Sequence, residues 1–547
     1  MGSFQTFTSR KHMSSYTAHV DTFTLERLPP RHTWPEFRFT LPELNYPQRL
    51  NAAQVLLDSA LEEGHGSRDA ILSDEVRWTY SELKQNVDRI AHVLRSDLGL
   101  VPGNRVLLRG PNSPMLCAAW LAVIKAGGIA ATTMPMLRAG ELSKIAKKGA
   151  IRFALCDHRL MEDLEAAAAL SGHLGVRVAF GNGDLETRMS AHTPEFAACN
   201  TALEDVALLA FTSGTTGQPK ATVHFHRDVI ASADVVGRHL LHTSIGDRYI
   251  GSPPLGFTFG LGALLVFPLR FRSATIMVEA PQPNNLLTAI QKHRATCLFA
   301  APVAYRGLLS QISHFDISSL KRCVSAGEAL PPATWDAWLR ATGLKIIDGI
   351  GATEMMHIFI SASGDGIRPG STGKALPGYE ACILDESGQR LPLGSVGRLA
   401  VKGPTGCRYL DDPRQQEYVQ NGWNLTGDMY RQDEDGYFWF QARADDMIIS
   451  AGYNIAGPEV EAVLAAHPAV RECAVTAAPD EERGQIVKAF VVLNSNYVAG
   501  PELTKTLQDF VKACIAPYKY PRAVEFLEKL PRTSTGKIQR FSLRPKS

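Results

Sequence analysis

Thr212-Ser213-Gly214-Thr215-Thr216-Gly217-Gln218-Pro219-Lys220 follows directly on the apolar run Val206-Ala207-Leu208-Leu209-Ala210-Phe211. The length of that run and the turn residues around it fit a buried strand. Hydroxyl residues and glycines fill the whole of 212–217 before Lys220 closes the loop. Glycine lets backbone N–H groups approach a ligand, hydroxyls add donors, and lysine adds a mobile point charge. Those are the parts of a polyphosphate cradle, although local composition alone also allows an ordinary Ser/Thr/Gly surface turn. The common nucleotide loop is excluded, because it needs Gly, four residues, then Gly-Lys-Ser/Thr. Of the two Gly-Lys pairs, Gly373-Lys374 has Arg368 and Gly536-Lys537 has Pro531 where the first glycine would stand. A Gly-x-Gly-x-x-Gly fingerprint also fails, since Gly349-Ile350-Gly351 runs into Glu354.

The stretch resembles the phosphate signature of the adenylate-forming superfamily of acyl-CoA synthetases, peptide-synthetase adenylation domains and luciferases. Other motifs extend the resemblance over nearly the whole chain. Arg322-Cys323-Val324 leads into Ser325-Ala326-Gly327-Glu328-Ala329, and Lys345-Ile346-Ile347 into Asp348-Gly349-Ile350-Gly351-Ala352-Thr353-Glu354. Both read as strand-then-loop units, and ligands of parallel sheets collect at carboxyl ends of strands. The resemblance implies that Gly327, Glu328 and Ala329, with Asp348, Gly349 and Ile350, cradle adenine. It also implies that Thr353 meets the α-phosphate and Glu354 holds Mg²⁺, a hard cation that takes oxygen ligands.

Ile350 stands where the broad superfamily usually has tyrosine. The Asp-Gly-Ile-Gly-x-Thr-Glu-Met form, followed by His357, is similar to the benzoate-CoA and 2-aminobenzoate-CoA ligases. So is the proline-punctuated start, with Leu28-Pro29-Pro30-Arg31 and Trp34-Pro35-Glu36. The same resemblance assigns Phe257, Phe259, Gly351 and His357 to an acid pocket. It assigns Asp428 and Arg443 to the ribose, Asp445 to a hinge, and Gly452 and Tyr453 to the thiol's path. Pro531-Arg532-Thr533-Ser534-Thr535-Gly536-Lys537 matches the signature of the adenylation lysine, implying a catalytic Lys537. Many relatives carry lysine where Ile449 stands, which leaves the CoA contacts less fixed than those to ATP.

At 547 residues and 45% apolar content, the chain is long enough for two or more domains with a large core. The expectation is an α/β fold: a large multilayer N-terminal domain with mostly parallel sheets, plus a small mobile α+β C-terminal domain. Residues 1–45 read as an arm packed on the large domain, 46–444 as the ATP- and acid-binding domain, and 445–547 as the small domain. Helical spacing over 52–61, 80–94, 115–125 and 224–241 alternates with apolar runs at 104–108 and 128–133. His224 and His226 read as polar residues at a helix start, with a place near phosphate as the other reading.

A net charge of +2 gives no reason to invoke nucleic acid or a membrane surface. The nine cysteines are scattered and fit reduced thiols. With no apolar core near the N-terminus and no span-length apolar run, the expected location is cytoplasmic.

The implied activity joins a small aromatic carboxylic acid to CoA through an acyl-adenylate made from ATP. A stand-alone adenylation enzyme loading a carrier protein would share every ATP motif. A non-catalytic nucleotide-binding regulator fits less well, because Thr353, Glu354, Asp428 and Lys537 are all present. Monomer and homodimer both stay open.

Overall fold

The computed structural model describes residues 16–213, 218–443, 446–450, 453–480, 484–515, 517–532 and 538–544. Two large sheets form the body. The first runs Val176–Phe180, Phe153–Asp157, Arg105–Arg109, Ile129–Thr133, Val206–Ser213, Pro219–Phe225. Its first five strands are parallel and the last pair is antiparallel. The second has nine strands with a parallel centre that includes Cys297–Ala300, Arg322–Ala326 and Ile346–Gly351. Its inner strands are buried, which explains continuous apolar runs in place of alternation. Helices cover these sheets. Pro114–Lys125 is buried nearly all round and starts at a Ser113 cap, while Tyr80–His92 opens with a Thr79/Glu82 capping box. A third, antiparallel sheet spans 380–443 and carries the strand pair Trp423–Gln432 and Phe438–Arg443.

Beyond it, Val470–Asp480, Gly484–Leu493 and Ala523–Phe526 form a small sheet covered by helices Gly457–Ala465 and Pro501–Cys514. Ile448, Val460, Leu464, Val475, Leu507 and Val511 give this unit a core of its own. All nine cysteines are free. Among the described residues no helix is long and apolar enough to cross a membrane.

Two expectations are corrected. Residues 224–241 are not one helix: Pro219–Phe225 is a strand, and the helix begins at His226. Ala221, Val223 and Phe225 sit at every second position and share one hydrophobic cluster, a period-two signal that the longer helical pattern masks. His224 lies in the strand and only His226 stands at the helix start, and both side chains are fully buried. Asp348, Gly349 and Ile350 also lie within a strand, not a loop, since Ile346–Gly351 continues to pair antiparallel with Ile358–Ser361.

The proline-rich start is fastened to the body by backbone and ring contacts. Glu36 N–H donates to Gly422 O, Arg38 N–H to Gly403 O, and Asp411 N–H to Arg27 O, each at 2.9 Å. The Arg408 guanidinium lies 5.5 Å from the Trp34 ring, 4.8 Å from Phe37 and 4.1 Å from Phe225, and it pairs with Asp228. Both charges of that pair are fully buried. Removing one partner strands the other in a low-dielectric interior. Arg408→Ala should therefore lose about 3–5 kcal/mol. Arg408→Met combined with Asp228→Leu should lose far less, both read from urea unfolding of the large domain followed by tryptophan fluorescence.

Candidate active site

Lys220 and Thr212 are register partners across an antiparallel strand pair, so both described ends of the phosphate stretch lie on strands of one hairpin. From this hairpin, Lys220 Nζ donates to the Tyr409 hydroxyl at 3.2 Å, and its ammonium lies 5.0 Å from that ring's centroid. The Tyr409 hydroxyl in turn donates to Glu354 Oε1. The other Glu354 oxygen makes no hydrogen bond among the described residues, leaving a hard donor free at a largely buried site. That donor suits Mg²⁺ beside triphosphate.

Glu354 sits in a single turn, Thr353–Met355, wedged between two antiparallel strands. Gly351 allows this, since a Cβ there would lie 2.9 Å from the His357 backbone. Met356 adopts φ 68°, costly for a side-chain-bearing residue, and reverses the chain between Glu354 and His357. His224 Nε2 lies 2.8 Å from Thr353 O. A carbonyl only accepts, so Nε2 carries the proton. Burial pulls the His224 imidazole down to about 4, so it serves as a neutral donor that pins the turn.

The other side of the turn faces an aromatic wall. The His357 ring lies 4.5 Å from Phe267, 5.5 Å from Phe259 and 6.4 Å from Phe299, and its Nε2 lies 3.2 Å from Phe259 O. Burial lowers His357 to about 3, so this ring is neutral too, with its Nδ1 unpartnered among the described residues. Gly262 brings the segment this close, because a Cβ there would lie 2.5 Å from His357 Cδ2. Asn112 braces the same segment through Pro253 O and Leu255 N–H, each at 2.9 Å. Phe257 is half-buried where the 258–261 helix begins, with no ring contact to His357 among the described residues.

Among the residues expected to face adenine, Gly327 takes φ +92°, and Gly327, Glu328 and Ala329 are exposed after strand Arg322–Ala326. Asp348 lies on the neighbouring strand with its Oδ1 buried and unpartnered, and burial pushes its carboxyl up to about 7. Gly349 packs against Ile358, and half-buried Ile350 packs against the core containing Met355 and Ile360. Asp428 and Arg443 are register partners joined at 2.9 Å. Burial raises the Asp428 carboxyl, and Arg443 opposes that rise. Gly427, at φ +76°, leaves room for the guanidinium, since a Cβ would lie 3.1 Å from Arg443 Nη2.

The profile of the AMP-binding enzyme family matches residues 58–408, and that of the AMP-binding enzyme C-terminal domain matches 459–537. The chain belongs to the AMP-binding enzyme family. It is 35% identical over 517 residues to a benzoate–CoA ligase of Thauera aromatica, covering 92% of this chain and 98% of that one. A mitochondrial acyl-coenzyme A synthetase of Mus musculus is 34% identical over 491 residues, covering 86% and 85% of the two chains. The crystal structure of an anthranilate CoA ligase in complex with anthranoyl-AMP superposes with a TM-score of 0.86 at 32% identity, over 92% and 98%.

In this AMP-binding enzyme the fold gathers Thr212, Lys220, Thr353 and Glu354 at one end, and Phe259, Gly351 and His357 beside them. Gly214, Thr215, Thr216, Gly217, Asp445, Gly452 and Lys537, with the side chains of Ser213 and Tyr453, lie outside the described residues. Arg540, three positions after Lys537, sits where burial penalises its charge, but Glu461, Asp446 and Glu328 more than restore it. Sequence reading missed Tyr409, Phe267, Phe299 and Asn112 as site residues. None sits in a run of chemically distinctive residues, and each reaches the site only through sheet topology.

Asp348 gives a pH test on nucleotide-free protein. Its folded value of about 7 exceeds the ordinary 3.8, so between these the folded chain keeps a proton the unfolded chain has lost. Stability contributed there is full at low pH and falls as pH rises toward 7. Asp348→Asn should therefore raise Tm over wild type at pH 8 and leave it nearly unchanged at pH 4, measured by calorimetry.

Proposed function

We propose that this AMP-binding enzyme is an aryl-CoA ligase acting on a small aromatic acid of the benzoate or 2-aminobenzoate type. The reaction class is that of an ATP-dependent, AMP-forming acid–CoA ligase with ATP, CoA and Mg²⁺. One observation carries the substrate reading: Phe259, Phe267 and Phe299 wall in a neutral His357 one short turn from Glu354. A flat, apolar ring fits such a wall, and the turn would direct its carboxylate toward the phosphates.

A carboxylate oxygen attacks the α-phosphorus of ATP, giving the acyl-AMP mixed anhydride and releasing pyrophosphate. The CoA thiol then displaces AMP, giving the thioester and a proton. Catalysis of such a transfer rests on positioning and charge stabilisation. Thr353 would donate to the α-phosphate, and Lys220 with Thr212, Ser213, Gly214, Thr215, Thr216 and Gly217 would hold the departing pyrophosphate. Mg²⁺, when bound on Glu354, would offset charge on the phosphate oxygens. Gly327, Glu328, Ala329, Asp348, Gly349 and Ile350 would face adenine, and Asp428 with Arg443 the ribose. Lys537 would bridge carboxylate and α-phosphate. Rotation about Asp445 would then withdraw it and bring Gly452 and Tyr453 to the thiol. This division places an arm at 1–45, the large domain at 46–444 and the small one at 445–547, and the separate matches at 58–408 and 459–537 support it.

The test is a panel of benzoate, aminobenzoates, hydroxybenzoates and short to medium fatty acids assayed for CoA-dependent AMP release. One of the aromatic acids should have the highest kcat/KM. A fatty acid ahead of every aromatic acid would overturn the substrate class.

A further inference from the structure

Lys220 and Glu354 carry opposite charges and both hydrogen-bond the same phenol oxygen, yet among the described residues they do not pair directly. A direct pair would consume the two charges that adenylation requires, an ammonium for phosphate and a carboxylate for the metal. A phenol hydroxyl has one hydrogen and free lone pairs. It can donate to Glu354 while accepting from Lys220, and this is the arrangement observed. Tyr409 has little freedom to do otherwise. It is fully buried, its backbone N–H donates to Gln415 Oε1 at 2.8 Å, and its ring meets Tyr418 edge-on at 5.8 Å. The preceding residue is Arg408, locked by Asp228 and the arm's aromatic rings. Thus the spacer between the two charges is held by the body of the large domain and not by either charged segment.

We propose that Tyr409 is a positioning residue for adenylation: its hydroxyl keeps Lys220 and Glu354 apart and aims one Glu354 oxygen at the metal site. The inference rests on the adenylating role proposed for Glu354 and Lys220. Without the hydroxyl, the ammonium can fall onto the carboxylate and block the metal.

The experiment compares wild type, Tyr409→Phe and Tyr409→Phe/Lys220→Met. Phenylalanine keeps the ring and its packing. Mn²⁺ binding in the presence of a non-hydrolysable ATP analogue, followed by electron paramagnetic resonance, should weaken about tenfold or more in Tyr409→Phe, the scale of a lost hydrogen bond to a charged group. Half-saturating Mg²⁺ for acid-dependent pyrophosphate exchange should rise in step. Conversion of preformed aroyl-AMP and CoA to thioester should stay near the wild-type rate. The double variant should recover Mn²⁺ affinity without recovering exchange. Unchanged Mn²⁺ affinity in Tyr409→Phe, or equal loss in both half-reactions, would overturn the positioning role. If wild type itself fails to turn aroyl-AMP into thioester, the ligase reading falls instead, and the Mn²⁺ comparison still decides the role of Tyr409.

Discussion

A carboxylate and an ammonium needed for one phosphoryl transfer must lie close together without neutralising each other. Two unit charges 4 Å apart near a protein surface attract by roughly 4 kcal/mol, so proximity alone would join them. Here a neutral phenol stands between Lys220 and Glu354. The three residues come from an antiparallel hairpin, a one-turn helix between strands of the nine-stranded sheet, and a segment leading into the third sheet. Each layer of the large domain therefore contributes one member of the arrangement, and the layers must pack in register for it to exist. The buried Arg408–Asp228 pair and the arm's rings hold the segment that supplies the phenol. The stability of the arm's seat and the geometry of the phosphate site are in this way connected through adjacent residues, 408 and 409.

The same one-turn helix divides the phosphate side from the aromatic side. Its placement depends on two glycines with different duties: Gly351 lets the strand pass close to the His357 backbone, and Gly262 lets the facing segment reach the His357 ring. Both histidines near the turn are held neutral by burial, His224 as a donor to the Thr353 carbonyl and His357 against Phe259, Phe267 and Phe299. In the proposed function a neutral wall would not compete with Lys537 for the substrate's carboxylate. The anionic end of the proposed aromatic acid would thus be directed by charge and its ring by shape.

Much of this was legible in the sequence because the motifs carry unusual residue types in tight spacing. The hydroxyl-glycine run ending at Lys220 and the Asp-Gly-Ile-Gly-Ala-Thr-Glu stretch pointed to the adenylate-forming superfamily, and the family profiles agree on the family. The apolar run 206–211 was recognisable as a strand because both of its faces are buried over 206–210. What the sequence hid was long-range contact. Nothing local to Tyr409 says that it meets Glu354, and Phe267 and Phe299 look like ordinary core until the fold brings them to His357. His224 was misread for a related reason: its strand is short and runs directly into a helix, so a helical period covers both. Asp348 reads as a loop residue because Gly349 and Gly351 follow it, whereas those glycines serve close strand packing.

In the proposed mechanism adenylation is driven by cations gathered around the triphosphate, with Lys537 as the one contributed by the small domain. Rapid-quench single turnovers with α-labelled ATP, Mg²⁺ and an aromatic acid, without CoA, test this most directly. Wild type should accumulate aroyl-AMP in step with pyrophosphate, and Lys537→Ala should form it slower by roughly 10²-fold or more, while still passing preformed aroyl-AMP to CoA. Appearance of ADP and an acyl phosphate, or a Lys537→Ala enzyme that forms aroyl-AMP at the wild-type rate, would contradict it.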